Sequence, residues 1–343
     1  MRRKLIRHIL VFVLTACVFM SGAFTLVTVP AEAKSTPKLS SKSVTLAMGG
    51  TQKIKLKNGS GKWSIKGTGV IRIKKKTKKY ITVAPVKAGT ATVYCKAGRK
   101  KLKCKVRVLN NSAGSVKDTG NAWVVGDSAS TSFNLPEGVS LTGTEYDTSK
   151  AKVTTTTKAD ADSGETKVTV RIKALKPGKF YLKFNYMIGS KPENETIAAV
   201  FIKGFRGKAK AKKTDANYKK WRKKIISSMV SEDMTTWEII DAVGALISTG
   251  KYSMKGGTDG KQLWYGGNGT CVSGSMMMDD FMKDIGVKSK VRFAGKLRPS
   301  KDIFGYSVMY GTHHRNTLIT IGGKRYELNP QPGMPWPVGI VNR

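Results

Sequence analysis

Between Lys34 and Ser112 the chain has no aspartate and no glutamate, against 22 lysines and arginines. A segment of that composition repels itself and attracts polyanions. Histidine is scarce as well: three in 343 residues leave little room for a zinc cluster. Four cysteines are too few for a disulfide-built scaffold. Glycine at 36 and proline at 11, neither in a regular period, exclude collagen-like and low-complexity chains. Hydrophobic residues make up 40% of the chain, which excludes disorder. The length fits two or three domains, each large enough for its own core.

Arg2, Arg3, Lys4 and Arg7 precede an apolar stretch from Ile9 to Val29, followed by Ala31-Glu32-Ala33. A basic start, an apolar run and a small-x-small site make a secretory signal peptide over 1–33, with the mature chain beginning at Lys34. The stretch is also long enough for an uncleaved anchor, and Leu14-Thr15-Ala16-Cys17 resembles a lipoprotein cleavage box. All three readings export the protein, so a secreted, extracellular or cell-surface location is expected.

Charge is unevenly spread. Residues 34–112 carry +22, residues 113–213 carry +7 and residues 214–343 carry +8. For an exported chain, the expected partner of residues 34–112 is an anionic cell-envelope polymer. No aromatic-basic motif of a nucleic-acid module is present, so nucleic acid is not expected as a partner.

Residues 38–110 read as short strands between turns. Lys53-Ile54-Lys55-Leu56-Lys57 alternates as a half-buried strand does, and Asn58-Gly59 breaks it. About seven such strands in this space predict a sandwich. The pattern of Val44-Thr45-Leu46, Gly50-Thr51, a central Trp63 and Val86-Lys87-Ala88-Gly89-Thr90-Ala91-Thr92-Val93 resembles the bacterial immunoglobulin-like domains of group 2. Residues 34–112 are therefore expected to form one such domain. Cys95 and Cys104 flank a turn; a hairpin turning at 99–100 sets them opposite each other and predicts a disulfide. Leu175-Lys176-Pro177-Gly178-Lys179-Phe180-Tyr181-Leu182 echoes the 86–93 stretch, and 113–205 is expected to be a second immunoglobulin-like sandwich.

A basic linker, 206–213, precedes a change of period. Trp221, Ile225 and Met229 recur at helical spacing. Thr235-x-x-Glu238 fits a capping box, with Trp237, Ile240, Gly244 and Ile247 on one face behind it. A third helix is expected from Cys271, capped by Thr270 and ended at Gly286, after a glycine-rich loop. Strands at 314–321 and 324–329 meet at Gly322-Gly323, a two-residue hairpin. Trp336, between two prolines, is expected to pack a terminal loop.

Cys271 stands at the first turn of its helix, where amides and the dipole favour a thiolate, the nucleophilic form. A nucleophile of this kind needs a base, and the base an orienting acceptor. Beyond residue 33 there are two histidines, His313 and His314. Neighbouring strand residues face opposite ways. With the turn at Gly322-Gly323, His314 and Asn329 share a face, and His313 falls with the apolar residues. A three-residue turn would shift the register and select His313.

Gly269-Thr270-Cys271, the run Phe281-Met282-Lys283-Asp284-Ile285-Gly286-Val287, His314-Arg315-Asn316-Thr317 and Ile321-Gly322-Gly323-Lys324-Arg325-Tyr326-Glu327-Leu328-Asn329-Pro330 together resemble the transglutaminase-like superfamily. The resemblance implies an α+β papain-like domain over 214–343. The expected architecture is thus multidomain: two all-β immunoglobulin-like sandwiches followed by an α+β transglutaminase-like domain. It also implies a catalytic Cys271, His314 and Asn329. Asn329 stands where the family has aspartate, and Asn316 replaces an aromatic. Gln262 or Trp264 are candidate oxyanion donors beside the Cys271 amide. The expected activity is that of a cysteine-dependent acyl transferase or peptidase on a protein or peptidoglycan-peptide amide. The alternative is a wall-binding adhesive protein with an inactive site. No nucleotide, flavin or metal motif is visible, so no cofactor is expected.

Overall fold

Strict alternation builds the first sandwich. Along Gln52–Lys57, Ile54 and Leu56 are buried while the lysines between them face out, the two-residue period of a pleated strand. One sheet runs in the order Lys38–Leu39, Gln52–Lys57, Tyr80–Pro85, Ile71–Lys76. The other runs Ser43–Leu46, Lys100–Val108, Gly89–Ala97, Lys62–Lys66. Their inner faces meet around Ile54, Ile81, Val93, Val106 and Trp63. The computed structural model describes residues 35–109, 119–205, 212–231, 233–293, 298–310 and 314–343. The expected signal peptide, most of the basic linker and His313 lie outside the described residues.

The hairpin of the first sandwich turns one residue earlier than expected. Ala97 pairs with Lys100, so Cys95 faces Leu102 and Cys104 faces Val93. Gly98, at φ 57°, supplies the left-handed corner of a two-residue turn. The two cysteines are therefore diagonal neighbours in the core. Both are buried free thiols, not a disulfide. Burial pushes both upward, Cys104 to about 12.

The second sandwich sets Ser128–Leu135, Thr166–Ala174 and Ala151–Ala159 against a sheet of Val139–Tyr146, Gly178–Ile188, Lys191–Ile202 and Ala122–Val124. Val168, Val170 and Ile172 from one sheet interleave with Phe180, Leu182 and Phe184 from the other. Phe180 stacks on Phe201 with centroids 5.2 Å apart.

Among the described residues four helices follow: α1 (Asp215–Met229), α2 (Thr236–Ser248), α3 (Gly260–Gly266) and α4 (Cys271–Asp284). The box at the start of α2 forms as its spacing dictates, with Glu238 N–H donating to Thr235 Oγ1 at 3.1 Å and Thr235 N–H to Glu238 Oε2 at 2.7 Å. The short α3 occupies part of the glycine-rich loop; Asp259 caps it, accepting from Gln262 N–H at 2.5 Å. Beside the helices lies an antiparallel sheet in the order Lys288–Phe293, Arg315–Ile321, Lys324–Leu328, Val341–Asn342.

The expectation of a separate papain-like α+β domain is overturned. The described residues are mostly β, 48% strand against 17% helix. Its helices do not close a core of their own. One apolar cluster runs from Ala47 and Leu109 of the first sandwich, through Ala122, Val124, Val200 and Ile202 of the second, into Trp221, Trp237, Ile240 and Phe281. The helical faces are completed by sandwich strands, and Pro37–Arg343 forms one compact unit.

Polar contacts reinforce that continuity. Asp241, buried on α2, accepts from Gly120 N–H at 2.8 Å, Asn121 N–H at 3.0 Å and Trp336 Nε1–H at 2.8 Å. One carboxylate thus joins the entry to the second sandwich, α2 and the C-terminal loop. The Trp336 ring lies so close to Gly244 that a Cβ there would overlap it. In an open helix Gly→Ala gains about 1 kcal/mol. Here Gly244→Ala is expected to lose stability by about 1–3 kcal/mol through overpacking, read as a lower urea midpoint at unchanged slope. A gain would show that Trp336 does not sit on α2.

Candidate active site

Local chemistry fixes Cys271 first. Asn268–Gly269 pairs in parallel with Lys251–Tyr252 and delivers Thr270 as the cap of α4. Thr270 N–H donates to Ser273 Oγ at 2.7 Å, and Val272 N–H donates to Thr270 Oγ1 at 3.3 Å. A side chain at Gly269 would occupy the place of Ser273 Oγ, so the box needs glycine there. Cys271 is the first helical residue. Its amide has no partner within the helix by position alone.

Two hydrogen bonds then pin α4 to the strand that follows His314. Ser275 Oγ–H donates to Arg315 C=O at 2.8 Å, and Thr317 Oγ1–H donates to Ser275 C=O at 2.9 Å. The hairpin register is set by Ile321 opposite Lys324, and Thr317 opposite Leu328. That register puts His314 and Asn329 just past the paired ends of their two strands, on one face. His314 Nε2 lies 2.7 Å from Asn329 Oδ1, which also accepts from Gln331 Nε2–H at 3.1 Å. Close approach on the helix side completes the site: Gly274 lies so near Pro330 C=O that a Cβ would collide with it.

The Cys271 side chain lies near enough to His314 for the imidazole to lower the thiol. With Nε2 engaged by an amide oxygen, Nε2 carries a proton, and Nδ1 is the nitrogen left for sulfur. Cysteine, histidine and asparagine, far apart in sequence, thus meet. Burial pushes the Cys271 thiol up. The His314 side chain, the Arg315 and Val272 amides and the charge of the imidazolium outweigh it, so the net direction is down. For His314 burial pushes down, but Cys271 and Asn329 hold the charged ring, so the net direction is up. Opposite shifts in a neighbouring pair favour thiolate and imidazolium together.

The other residues singled out in the sequence are placed as follows in the fold. Trp264 is buried in an aromatic cluster with Tyr218 and Trp221, and its indole nitrogen is without a partner. Gln262 Oε1 is held by Lys213. Asn316 is fully buried; its Nδ2–H donates to Glu327 Oε1 at 2.8 Å, and Glu327 accepts from Arg343 Nε at 2.7 Å. It serves the strand pairing beneath the histidine. Sequence reasoning missed Tyr252, whose phenol is pushed up by burial and by a negative Cys271. Tyr252 is 43% exposed, whereas Cys271 is 8% exposed. Only the Lys251–Tyr252 pairing with Asn268–Gly269 places it near Cys271, and a two-residue strand leaves no periodic trace.

No known protein-family signature matches the chain, and no curated protein is similar to it. Among solved structures it is similar to domains 5–6 of the S-layer protein SbsC, at 18% identity over 49% of this chain and 97% of that one, with a TM-score of 0.20. It is also similar to a cysteine protease inhibitor from Entamoeba histolytica, at 20% identity over 25% and 88% with a TM-score of 0.20. A titin immunoglobulin tandem matches at 8% identity over 48% and 96%, with a TM-score of 0.18.

The opposed shifts give a pH prediction. A lowered thiol ionises at lower pH than a free cysteine, whose midpoint is about 8.5. Iodoacetamide alkylation of Cys271, mapped by mass spectrometry, is expected to have its midpoint below that value. His314→Ala should return the midpoint to or above it, because burial remains and the partner is gone. A wild-type midpoint above about 8.5 would contradict the ion pair.

Proposed function

We propose that the protein is an exported, envelope-associated cysteine enzyme that acts on amide bonds through a thioester, with transglutaminase-like chemistry. The observation that supports this most is the His314–Asn329 hydrogen bond, Nε2 to Oδ1 at 2.7 Å, beside a Cys271 whose thiol the imidazole lowers. Cys271 thiolate attacks the carbonyl carbon of the substrate amide. The C–N bond breaks, and the amine leaves with the proton of the His314 imidazolium. Water or a second amine then attacks the thioester and gives a proton to His314, releasing the thiolate. Water makes the protein a peptidase or amidase; a lysine amine makes it a cross-linker. Asn329 orients the ring and fixes its tautomer without adding charge. The Cys271 amide at the start of α4 is the oxyanion donor available by position.

The second reading, a wall-binding protein with an idle site, draws on the depth of the sulfur, at 8% exposure. Both readings include the electrostatic attraction of residues 34–112 to an anionic envelope polymer, which rests on 22 cationic side chains and no acidic ones.

The enzyme reading is tested with an activated acyl ester and intact-mass detection. An acyl adduct on Cys271 is expected, absent in Cys271→Ala and formed about 10²–10⁴-fold more slowly in His314→Ala. Adding an alkylamine divides the product between hydrolysis and amide formation. No adduct at any pH, with the protein folded, would favour the idle site. Separately, retention on cell walls is expected to fall steeply with salt as screening shortens the reach of surface charge. Salt-independent retention would remove the electrostatic tether.

A further inference from the structure

A cleft of about 370 Å³ lies where the first sandwich meets α1, with Asp284 from the far end of α4 on its wall. Its wall carries Lys42 from the sandwich side and Lys219, Lys223 and Lys224 from α1. Lys53 also borders it, but its ammonium lies 3.9 Å over the Tyr80 ring. The one carboxylate on the wall is Asp284, and it is already clamped by Arg222 Nε at 2.8 Å. Lys219 and Lys223 are one helical turn apart, where like charges repel. Lys223 is half-buried, and Nζ–H donates to Ser41 Oγ at 3.2 Å. Burial and the nearby Lys219 both press against its charge. Four cations in a concavity without a free counter-charge are a focused positive field.

The lining also says which anion fits. Ammonium groups are point donors, suited to oxygens in a tetrahedral array, and arginine, the residue that grips planar carboxylates in pairs, is absent from this wall. Serine and threonine hydroxyls complete the donor set. No aromatic ring lines the cleft, so nothing there stacks a nucleobase. Its volume admits more than a single phosphate group.

We propose that this cleft is a binding site for a phosphodiester chain lacking nucleobases, gripped by Lys42, Lys219, Lys223 and Lys224 with the Ser41 hydroxyl. The site deepens the electrostatic tether put forward above by giving it a defined seat that includes α1 as well as residues 34–112. It is independent of the chemistry at Cys271.

The test measures binding of a soluble glycerol-phosphate oligomer to the full mature chain by calorimetry at fixed ionic strength. Lys219→Gln/Lys223→Gln is compared with Lys74→Gln/Lys76→Gln, which removes equal charge from an exposed strand. The cleft pair is expected to weaken binding about tenfold or more, and the strand pair less than about twofold. Thermal unfolding of each variant confirms folding, and Lys42→Gln, outside the helix, should weaken binding in the same direction. Equal losses in the two pairs would overturn the cleft while leaving a diffuse tether standing. No binding by the wild-type chain would overturn both. An oligothymidylate of the same phosphate number that binds as tightly and is lost with the same cleft pair would overturn the assignment to a chain without bases.

Discussion

The bond between His314 Nε2 and Asn329 Oδ1, at 2.7 Å, is the constraint on which the site depends. It uses one ring nitrogen and thereby dedicates the other to Cys271. It also fixes where two strand ends must lie. Everything that positions those ends, from the Gly322-Gly323 turn to the Asn316–Glu327–Arg343 chain of hydrogen bonds, acts through it. An asparagine in this place orients without adding negative charge. The pull toward imidazolium therefore comes mainly from the thiolate, and each member of the pair sustains the ionisation of the other.

The site is held within a larger continuous core. The far end of the cysteine helix touches the first sandwich: Ala47 N–H donates to Ile285 C=O at 2.9 Å, and Gly50 meets the Gly286 carbonyl without space for a side chain. Asp241 joins α2 to the start of the second sandwich. Arg107 of the first sandwich reaches Val230 C=O, at the end of α1, at 2.7 Å. Sandwiches and helices thus complete each other's buried faces. That mutual completion is the physical reason why a free-standing α+β unit is not found, although its local motifs are present in the sequence.

Legibility followed interaction range. The strands of the first sandwich, the Thr235–Glu238 box and the Thr270 cap were readable because each rests on residues a few positions apart. The Gly322-Gly323 turn was readable too, and with it the common face of His314 and Asn329. The disulfide expectation failed on a one-residue error in turn position, enough to move Cys104 from opposite Cys95 to opposite Val93. The α3 helix was hidden among glycines, and its signal was Asp259 three residues before Gln262. Tyr252 near Cys271, the packing of Trp264 against Tyr218 and Trp221, and the sharing of one core among sandwiches and helices all depend on long-range packing. No short pattern encodes those.

The most direct measurement is nitrogen NMR of the His314 ring as a function of pH, in wild type and in Cys271→Ala. An imidazolium that persists above the usual histidine range of about 6.5 is expected in the wild-type protein. In Cys271→Ala its midpoint should drop, because burial then acts with only the Asn329 and Asn316 side chains to oppose it. A ring that titrates identically in both proteins would contradict the ion pair and, with it, the proposed thioester chemistry.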